Sequence, residues 1–231
     1  MKNNFLRGAI DGIPIGLGYL SVSFAFGIFA VSSGINPLHA LLISMTNLTS
    51  AGQLAAVPII ASGGSFIELI LSQLIINLRY ALMSVSLSQK LSHKVSLPQK
   101  LLIAFGNTDE VFATSVVQKD LTASYMFGLI FTPYIGWSFG TLLGAFLGNI
   151  LPEILLSSLG IMIYGMFVAI FIPAAKKERP VLLCILISVF ISLLFKFTPI
   201  LKTIPKGFVI IITAIIASSL MAVFKPIKEE D

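Results

Sequence analysis

The chain has 231 residues, of which 56% are hydrophobic and only 11% are charged, and its mean hydropathy is +0.98. Soluble domains usually carry about 25% charged residues, so this composition excludes a soluble globular domain and predicts a protein embedded in lipid. The net charge of +5 does not indicate nucleic-acid binding, because the lysines lie in short runs between apolar segments, as the cytoplasmic loops of membrane proteins do.

Six stretches are long and apolar enough to cross a bilayer, which requires about 20 largely apolar residues. In chain order they are residues 8–33, 64–88, 122–147, 153–175, 181–199 and 207–224. We therefore predict an all-α polytopic membrane protein with about six spanning helices. Residues 1–231 form a single transmembrane domain in this prediction, with a repeat-like core over about 8–175 and a C-terminal helical hairpin at 181–224. Pro14 and the nearby glycines (Gly12, Gly16 and Gly18) predict an irregular start to the first span.

Two further apolar segments, 38–63 and 101–118, are interrupted by polar residues. If both cross the membrane fully, the basic loop 89–100 lies on the opposite side from Arg7, against the rule that basic loops face the cytoplasm. The conflict disappears if 38–63 dips in from outside and 101–118 dips in from inside. Broken backbone at membrane depth is tolerated where it is buried in protein or lines a cavity. The alternative is that 38–63 crosses as one kinked helix and one loop violates the rule.

The two dips place the basic loops 89–100 and 176–180 in the cytoplasm and residues 34–37 outside. Segments that enter from opposite sides resemble an inverted repeat, and transporters often place substrate sites where broken helices of such halves meet. We find no residue-level match between the halves, so the repeat is inferred from topology.

The second dip contains adjacent acids, Asp109 and Glu110, in the apolar stretch "AFGNTDEVFATS". We expect Asn107 to cap a helix whose first turn holds both acids, where the helix dipole favours them. They either merely start this helix, or they are buried and functional, since an acid at membrane depth is a functional candidate. Two buried neighbours would not both ionise readily, and one could carry a proton or pair with an ammonium group. Adjacent helix positions point about 100° apart, so we favour a function for Asp109 over one for Glu110.

Arg79 lies about 14 Å along its helix from the basic end, which is far for the side chain to reach the interface. The alternative is an ion pair with Asp109, Glu110 or Glu68. Asn77 is placed to hydrogen-bond the broken backbone of either dip. We expect Glu68, near the outer end of its span, to be exposed at the surface.

The stretch "TNLTSAGQLAA" in the first dip suits a substrate carboxylate. Ser50 or Thr49 could cap a half-helix, leaving the N–H groups of Ala51, Gly52 and Gln53 free for an anion. The alternative is a tight helix crossing at Gly52 with Gln53 bonded to a neighbouring helix.

Glycines recur every four residues in the span 122–147 and just beyond it. They are Gly136, Gly140, Gly144 and Gly148. This spacing forms a narrow stripe on one helix face that permits close packing in lipid. We expect the partner to be a helix of the same chain; the alternative is a small partner subunit or a second copy.

Six motifs in order resemble the AzlC-type branched-chain amino-acid permeases over about residues 8–175. They are "GIPIG", "FAFG", "SAGQLAA", "NLRYALMSVSL", "NTDEVFA" and "LPEILLSSLGIMIYGMFVAIF". The resemblance implies export of leucine, isoleucine, valine or methionine across the bacterial inner membrane, together with a small AzlD-type membrane partner. The positions that match the family's motifs are Gly52, Gln53, Asn77, Arg79, Asp109 and Glu110. Two departures are Tyr80, where a histidine often follows the arginine, and the stretch around Met162, which lacks an acid that many relatives carry.

These observations together predict a secondary transporter that needs no cofactor or metal. The sequence contains no ATP-binding P-loop, so an ion gradient or the substrate gradient must supply the energy. His39 and His93 have no other metal-ligand type at useful spacing, and no nucleophile–base set suggests an enzyme. The alternatives from other classes are a channel-like pore for small solutes and an accessory subunit of another transporter.

Overall fold

The computed structural model describes residues 4–118, 121–147 and 175–225, together with Ile154, Val168 and residues 172–173. The helices are α1 (Asn4–Ser32), α2 (Pro37–Thr46), α3 (Ser50–Ala61), α4 (Phe66–Lys90), α5 (Leu97–Phe105), α6 (Asp109–Val116), α7 (Ala123–Leu147), α8 (Arg179–Phe197) and α9 (Lys206–Phe224), with a 3-10 turn at Leu201–Thr203. Among the described residues, five helices are long and apolar enough to cross a membrane, namely α1, α4, α7, α8 and α9. The predicted span 153–175 lies almost wholly outside the described residues. The all-α polytopic class is confirmed.

Helix α1 is continuous, which corrects the irregular start expected at Pro14: the proline lies inside the helix. The neighbouring glycines serve packing instead. A Cβ on Gly12 would lie 2.8 Å from the carbonyl oxygen of Leu129 in α7, and one on Gly16 would lie 3.0 Å from that of Thr132. The backbones of α1 and α7 are therefore close enough that only glycine fits between them.

Helices α1 and α7 run in the same direction, with their N-terminal ends together. Gly8 faces Tyr125 near the start of α7, whereas Gly27 faces Thr141 near its end. Arg7 Nη2 also donates to Gln118 Oε1 at 2.6 Å, just before α7. Two parallel neighbours must be separated by an odd number of crossings, and α4 is the single long helix that the structure describes between them, so α4 returns the chain.

The α5–α6 segment leaves and returns at one end of the bundle. Ser92 N, after α4, donates to Leu121 O, before α7, at 3.0 Å. The Lys90 ammonium also donates to Val116 O, the last residue of α6, at 2.9 Å. Because the two ends of this segment are hydrogen-bonded to each other, α5 and α6 form a re-entrant pair.

The α2–α3 segment behaves in the same way at the opposite end, where α1 ends and α4 begins. Residues 33–36, before α2, line one surface pocket with Ile60 and Ala61 at the end of α3. Ile35, just before α2, and Val57, in α3, belong to one buried apolar cluster. The units α1–α3 and α4–α6 therefore have the same order of elements and opposite directions.

The side of the membrane that each loop faces is a prediction that the lysine distribution supports. We expect residues 89–100 and 176–180 to face the cytoplasm and 34–37 to face outside. Single cysteines at Ser92 and Ser33, in a Cys184→Ser background, should then react with an impermeant maleimide from opposite sides. Labelling of both from outside would contradict the two re-entrant segments.

Glu68 is buried, which corrects its expected surface position: only 4% of the residue is exposed. Its Oε1 accepts a hydrogen bond from Gly207 N at 2.8 Å. The N-terminal end of α9 therefore covers this carboxylate, and a helix N-terminus is a favourable place for a negative charge. Hydropathy along α4 could not reveal a neighbour 139 residues away in the chain.

Candidate functional site

A cavity of about 410 Å³ lies where the two broken segments meet α1, α4 and α7. The first residue of α3, Ser50, and the start of α6, Thr108 to Glu110, both form part of its wall. The N-terminal ends of both half-helices thus face one space. Free N–H groups and the helix dipole make such ends favourable for anions.

Arg79 pairs with Asp109, with Arg79 Nη2 at 2.9 Å from Asp109 Oδ2. Of the three acids that the sequence offered as partners, the structure therefore selects one. Asp109 lines the cavity and both side chains are half-exposed. Arg79 also donates to the hydroxyl of Tyr80, another cavity residue, at 3.3 Å. The ion pair joins α4 to the start of α6 at the cavity wall.

Glu110 has a different partner, since the hydroxyl of Tyr19 in α1 donates to its Oε2. The two adjacent acids thus point to different helices, as their angular separation on α6 requires. Both Tyr19 and Glu110 line the cavity. Asp109 is held by a cation and Glu110 by a neutral hydroxyl.

Helix α6 starts one residue later than expected, because Thr108 rather than Asn107 occupies the cap position. Thr108 N donates to Gly106 O at 3.0 Å, which keeps Asn107 in the break. Asn107 is 2% exposed, and its Nδ2 donates to Ser84 Oγ in α4 at 3.3 Å. Asn107 therefore ties the break to α4 instead of capping the helix.

The break before α3 uses two N–H groups that the sequence analysis left free for an anion. Thr49 caps α3, and its Oγ1 accepts from Gly52 N at 3.4 Å. Gln53 N donates to Thr49 O at 3.0 Å. Ser50 is therefore the residue of this helix start that meets the cavity. The cap residue, Thr49, satisfies the N–H groups of Gly52 and Gln53.

Side-chain amides of α4 hold the same break. Thr49 Oγ1 donates to Asn77 Oδ1 at 2.8 Å, and Gln73 Nε2 donates to Gly52 O at 2.9 Å. A Cβ on Gly52 would lie 2.5 Å from Gln73 Oε1. Gly52 consequently lets α4 approach closely, and Asn77 positions the break through Thr49.

Gln53 is wholly buried and bonds to α7 and α2. Trp137 Nε1 donates to Gln53 Oε1 at 2.9 Å, and Gln53 Nε2 donates to Ser44 Oγ at 2.8 Å. Trp137 lines the cavity, whereas Gln53 is not part of its wall. Tyr19 and Trp137 line the cavity but were not among the residues predicted from the sequence. The sequence feature that could have indicated them is the polar group that each carries in an apolar helix, the hydroxyl of Tyr19 and the indole N–H of Trp137, because such groups need hydrogen-bond partners when buried.

The glycines of α7 face α1. A Cβ on Gly136, Gly140 or Gly144 would meet the backbone of Gly16, Leu20 or Phe24, respectively. Gly148, the fourth member of the stripe, and the stretch around Met162 lie outside the described residues. The contacts of Gly136, Gly140 and Gly144 are thus within the chain.

The site combines an apolar wall with a charged rim. Ile15, Val22 and Leu48 supply aliphatic surface, and Asp109 and Glu110 supply the charge. The volume lies within the range of small-molecule sites, about 300–1,000 Å³. Among the described residues no group of three or more His, Cys, Asp or Glu could hold a metal ion. The arrangement is suited to binding a small solute that has one apolar and one charged end.

The part of the chain that the structure describes contains five long apolar helices, and two opposed re-entrant segments meet α1, α4 and α7 at a cavity. These features define a multi-pass membrane protein. A family model described as "AzlC protein" matches residues 14–151, and the chain belongs to this family.

Several relatives are similar over most of their length. The chain is 29% identical to the Escherichia coli (strain K12) "Inner membrane protein YgaZ", covering 76% of this chain and 75% of the relative. It is 32% identical to an "Uncharacterized membrane protein" of Archaeoglobus fulgidus, covering 76% and 78%. It is 23% identical to the Bacillus subtilis "Branched-chain amino acid transport protein AzlC", covering 72% and 66%. No solved structure matches the chain significantly.

Proposed function

We propose that the protein is a secondary transporter that exports branched-chain amino acids or close analogues, among them leucine, isoleucine, valine and methionine. The observation that carries this proposal is the cavity in which aliphatic side chains share one wall with Asp109, the acid that pairs with Arg79. The name of the Bacillus subtilis relative, a branched-chain amino acid transport protein, supports the substrate class.

The cavity offers a complement for each part of such a substrate. Ile15, Val22 and Leu48 provide apolar surface for an aliphatic side chain. The dipole of α3, whose first residue Ser50 lines the wall, favours a carboxylate at its N-terminal end. An ammonium group has Glu110 within the same wall. A zwitterion with an aliphatic side chain therefore finds a partner for both charges.

Asp109 and Glu110 are also the candidates for coupling transport to protons. Acids at membrane depth serve as proton relays in pumps and transporters. Asp109 is paired with Arg79, and Glu110 accepts from Tyr19. Protonation of Asp109 would weaken the contact that holds α6 to α4, and protonation of Glu110 would weaken the contact that holds α6 to α1. Proton uptake is thereby linked to the position of α6.

We propose further that a small AzlD-type membrane subunit accompanies the protein. The resemblance to AzlC-type permeases suggests this partner. Transport by the single chain and by the pair must therefore be compared directly.

Counterflow of labelled leucine in proteoliposomes tests the function, with and without the partner. We expect saturable uptake that unlabelled isoleucine, valine and methionine inhibit and that unlabelled lysine does not. A channel would give flux that does not saturate steeply, and an accessory subunit would give none in either preparation. Either result would contradict the proposal.

Trp137 offers an independent measurement of binding, because it is the only tryptophan in the chain and lines the cavity. Leucine should change its fluorescence emission with a saturable dependence on concentration, and Asp109→Asn should weaken this dependence. Lysine serves as the matched control ligand. Emission that responds equally to both amino acids would mean that the cavity does not select an aliphatic side chain.

A further inference from the structure

Trp137 occupies a distinctive place in the cavity, because it is the only residue of α7 among those that line it. The residue is 3% exposed, so its indole is almost entirely enclosed. Its ring meets Tyr19 edge-on, with the ring centroids 5.1 Å apart and the planes at 77°. Aromatic pairs favour this geometry. The two rings together form a rigid part of the wall.

The indole N–H points away from solvent to Gln53 Oε1, at 2.9 Å. Gln53 is 0% exposed, and both ends of its amide are in use, since Nε2 donates to Ser44 Oγ at 2.8 Å. Gln53 is also absent from the cavity wall. Its amide oxygen and nitrogen both have partners, and its hydrogen bond with Trp137 connects it to a side chain of the cavity wall.

The hydrogen bonds continue to a second residue of α7. Ser44 Oγ and Thr141 Oγ1 are 2.7 Å apart, and both residues are 0% exposed. Thr141 lies one helical turn after Trp137, so Gln53 and Ser44 connect two points of α7 to both halves of the re-entrant pair α2–α3. A fully satisfied buried network is rigid, whereas loss of one partner leaves a buried polar group unpaired at a cost of about 1–3 kcal/mol.

We infer that Trp137 determines which amino-acid side chains the cavity accepts, and that Gln53 is a positioning residue that holds Trp137 in place. This inference rests on the proposed function, because it concerns the substrate range of the same cavity. A rigid ring limits the depth available to an aliphatic side chain. When the ring is removed or released, the cavity should accommodate larger side chains.

Competition in the counterflow assay tests the role of Trp137. The quantity measured is the ratio of the inhibition constants of phenylalanine and valine against labelled leucine. We expect Trp137→Leu to shift this ratio about tenfold in favour of phenylalanine, since one or more methylene groups in an apolar pocket change discrimination by this order. An unchanged ratio in Trp137→Leu would overturn the inference. Should Trp137→Leu not fold, Trp137→Phe, which lacks the N–H donor, should shift the ratio in the same direction, and an unchanged ratio there is equally decisive.

The role of Gln53 requires a measurement that a purely structural contribution would not change. Gln53→Met has a similar shape, and its thioether is only a weak acceptor for the indole N–H. Thr141→Val is the matched control, because it removes a bond at the other end of the same network and leaves the Trp137–Gln53 bond. Both variants should lower the melting temperature, but only Gln53→Met should change the emission maximum of Trp137 and shift the phenylalanine-to-valine ratio. If Gln53→Met and Thr141→Val change the emission maximum of Trp137 and the phenylalanine-to-valine ratio to the same extent, Gln53 only stabilises the fold.

The two proposals can fail separately. If the parent protein shows no leucine counterflow, the proposed function is wrong, and the emission of Trp137 in Gln53→Met against Thr141→Val still tests the positioning by Gln53. If the parent transports leucine and the ratio is the same in every variant, the proposed function stands and the inference is wrong.

Discussion

Asp109→Asn should abolish leucine counterflow, or its response to a proton gradient, while the protein remains folded. The substitution keeps the shape of the side chain and removes its charge and its ability to bind a proton at membrane depth. We expect the initial rate to fall by more than about tenfold, which corresponds to 1.4 kcal/mol. Counterflow at several external pH values, with purified protein in proteoliposomes, provides the measurement.

Stability should change little in the same variant. The Arg79–Asp109 pair is half-exposed, and pairs of that kind contribute about 0–1 kcal/mol. For a chain of this size, 1 kcal/mol corresponds to a shift in melting temperature of about 2–4 °C. If transport is lost while the melting temperature falls by no more than this amount, the loss is due to the missing charge and not to unfolding.

Two variants serve as controls for Asp109→Asn. Glu110→Gln should have a milder effect, because the amide oxygen can still accept the hydrogen bond that Tyr19 donates to Glu110. Asp11→Asn is the matched substitution on α1, where Asp11 accepts from the hydroxyl of Tyr125 at 2.8 Å outside the cavity wall. It should transport like the parent. If Asp109→Asn also exports normally across pH, the acid only favours the start of α6 through the helix dipole.

Gly144→Ala should destabilise the protein even though alanine is the better helix former. A Cβ at this position would overlap the carbonyl oxygen of Phe24 and lie 2.8 Å from its carbonyl carbon. Backbone atoms cannot rotate away as a flexible side chain can, so α1 and α7 must move apart. Overpacking typically costs 1–3 kcal/mol, and we expect the melting temperature in detergent to fall by about 2–12 °C. Gly140→Leu and Gly144→Leu should have larger effects.

Gly18→Ala on α1 is the matched control, because in the part of the chain that the structure describes a Cβ at Gly18 would have no atom within 4 Å apart from its chain neighbours and the adjacent backbone of its own helix. Alanine favours a helix interior over glycine by about 1 kcal/mol, so this variant should melt at the same temperature or higher. An alternative result would identify a subunit interface: Gly140→Leu and Gly144→Leu would melt like the parent and no longer co-purify with a partner subunit.

The family and the all-α polytopic class could be predicted from the sequence, and both are confirmed. These properties depend on local composition. Long apolar stretches must become helices in lipid because each helix satisfies its own backbone hydrogen bonds. The polar interruptions likewise marked the breaks between α2 and α3 and between α5 and α6. The roles of the candidate site residues remain predictions.

The tertiary structure decided which groups meet. Nothing local to Arg79 distinguishes Asp109 from Glu110 or Glu68, because all three were within reach in some arrangement of helices. The structure assigns Asp109 to Arg79, Glu110 to Tyr19 and Glu68 to the start of α9. Each assignment joins helices that are distant in the chain, and hydropathy carries no information about which helices become neighbours.

The sequence by itself determined that Gln53 lies in a polar break within an apolar segment and needs partners for its amide. Its partner Trp137 lies 84 residues later in the chain. This contact depends on the parallel packing of α1 and α7, because that packing brings α7 against the re-entrant pair α2–α3. The packing of α1 on α7 depends in turn on glycine contacts between the two helix backbones. A hydropathy pattern reports how much of each helix is apolar. The wall of the cavity was determined instead by how the surfaces of α1 and α7 fit together.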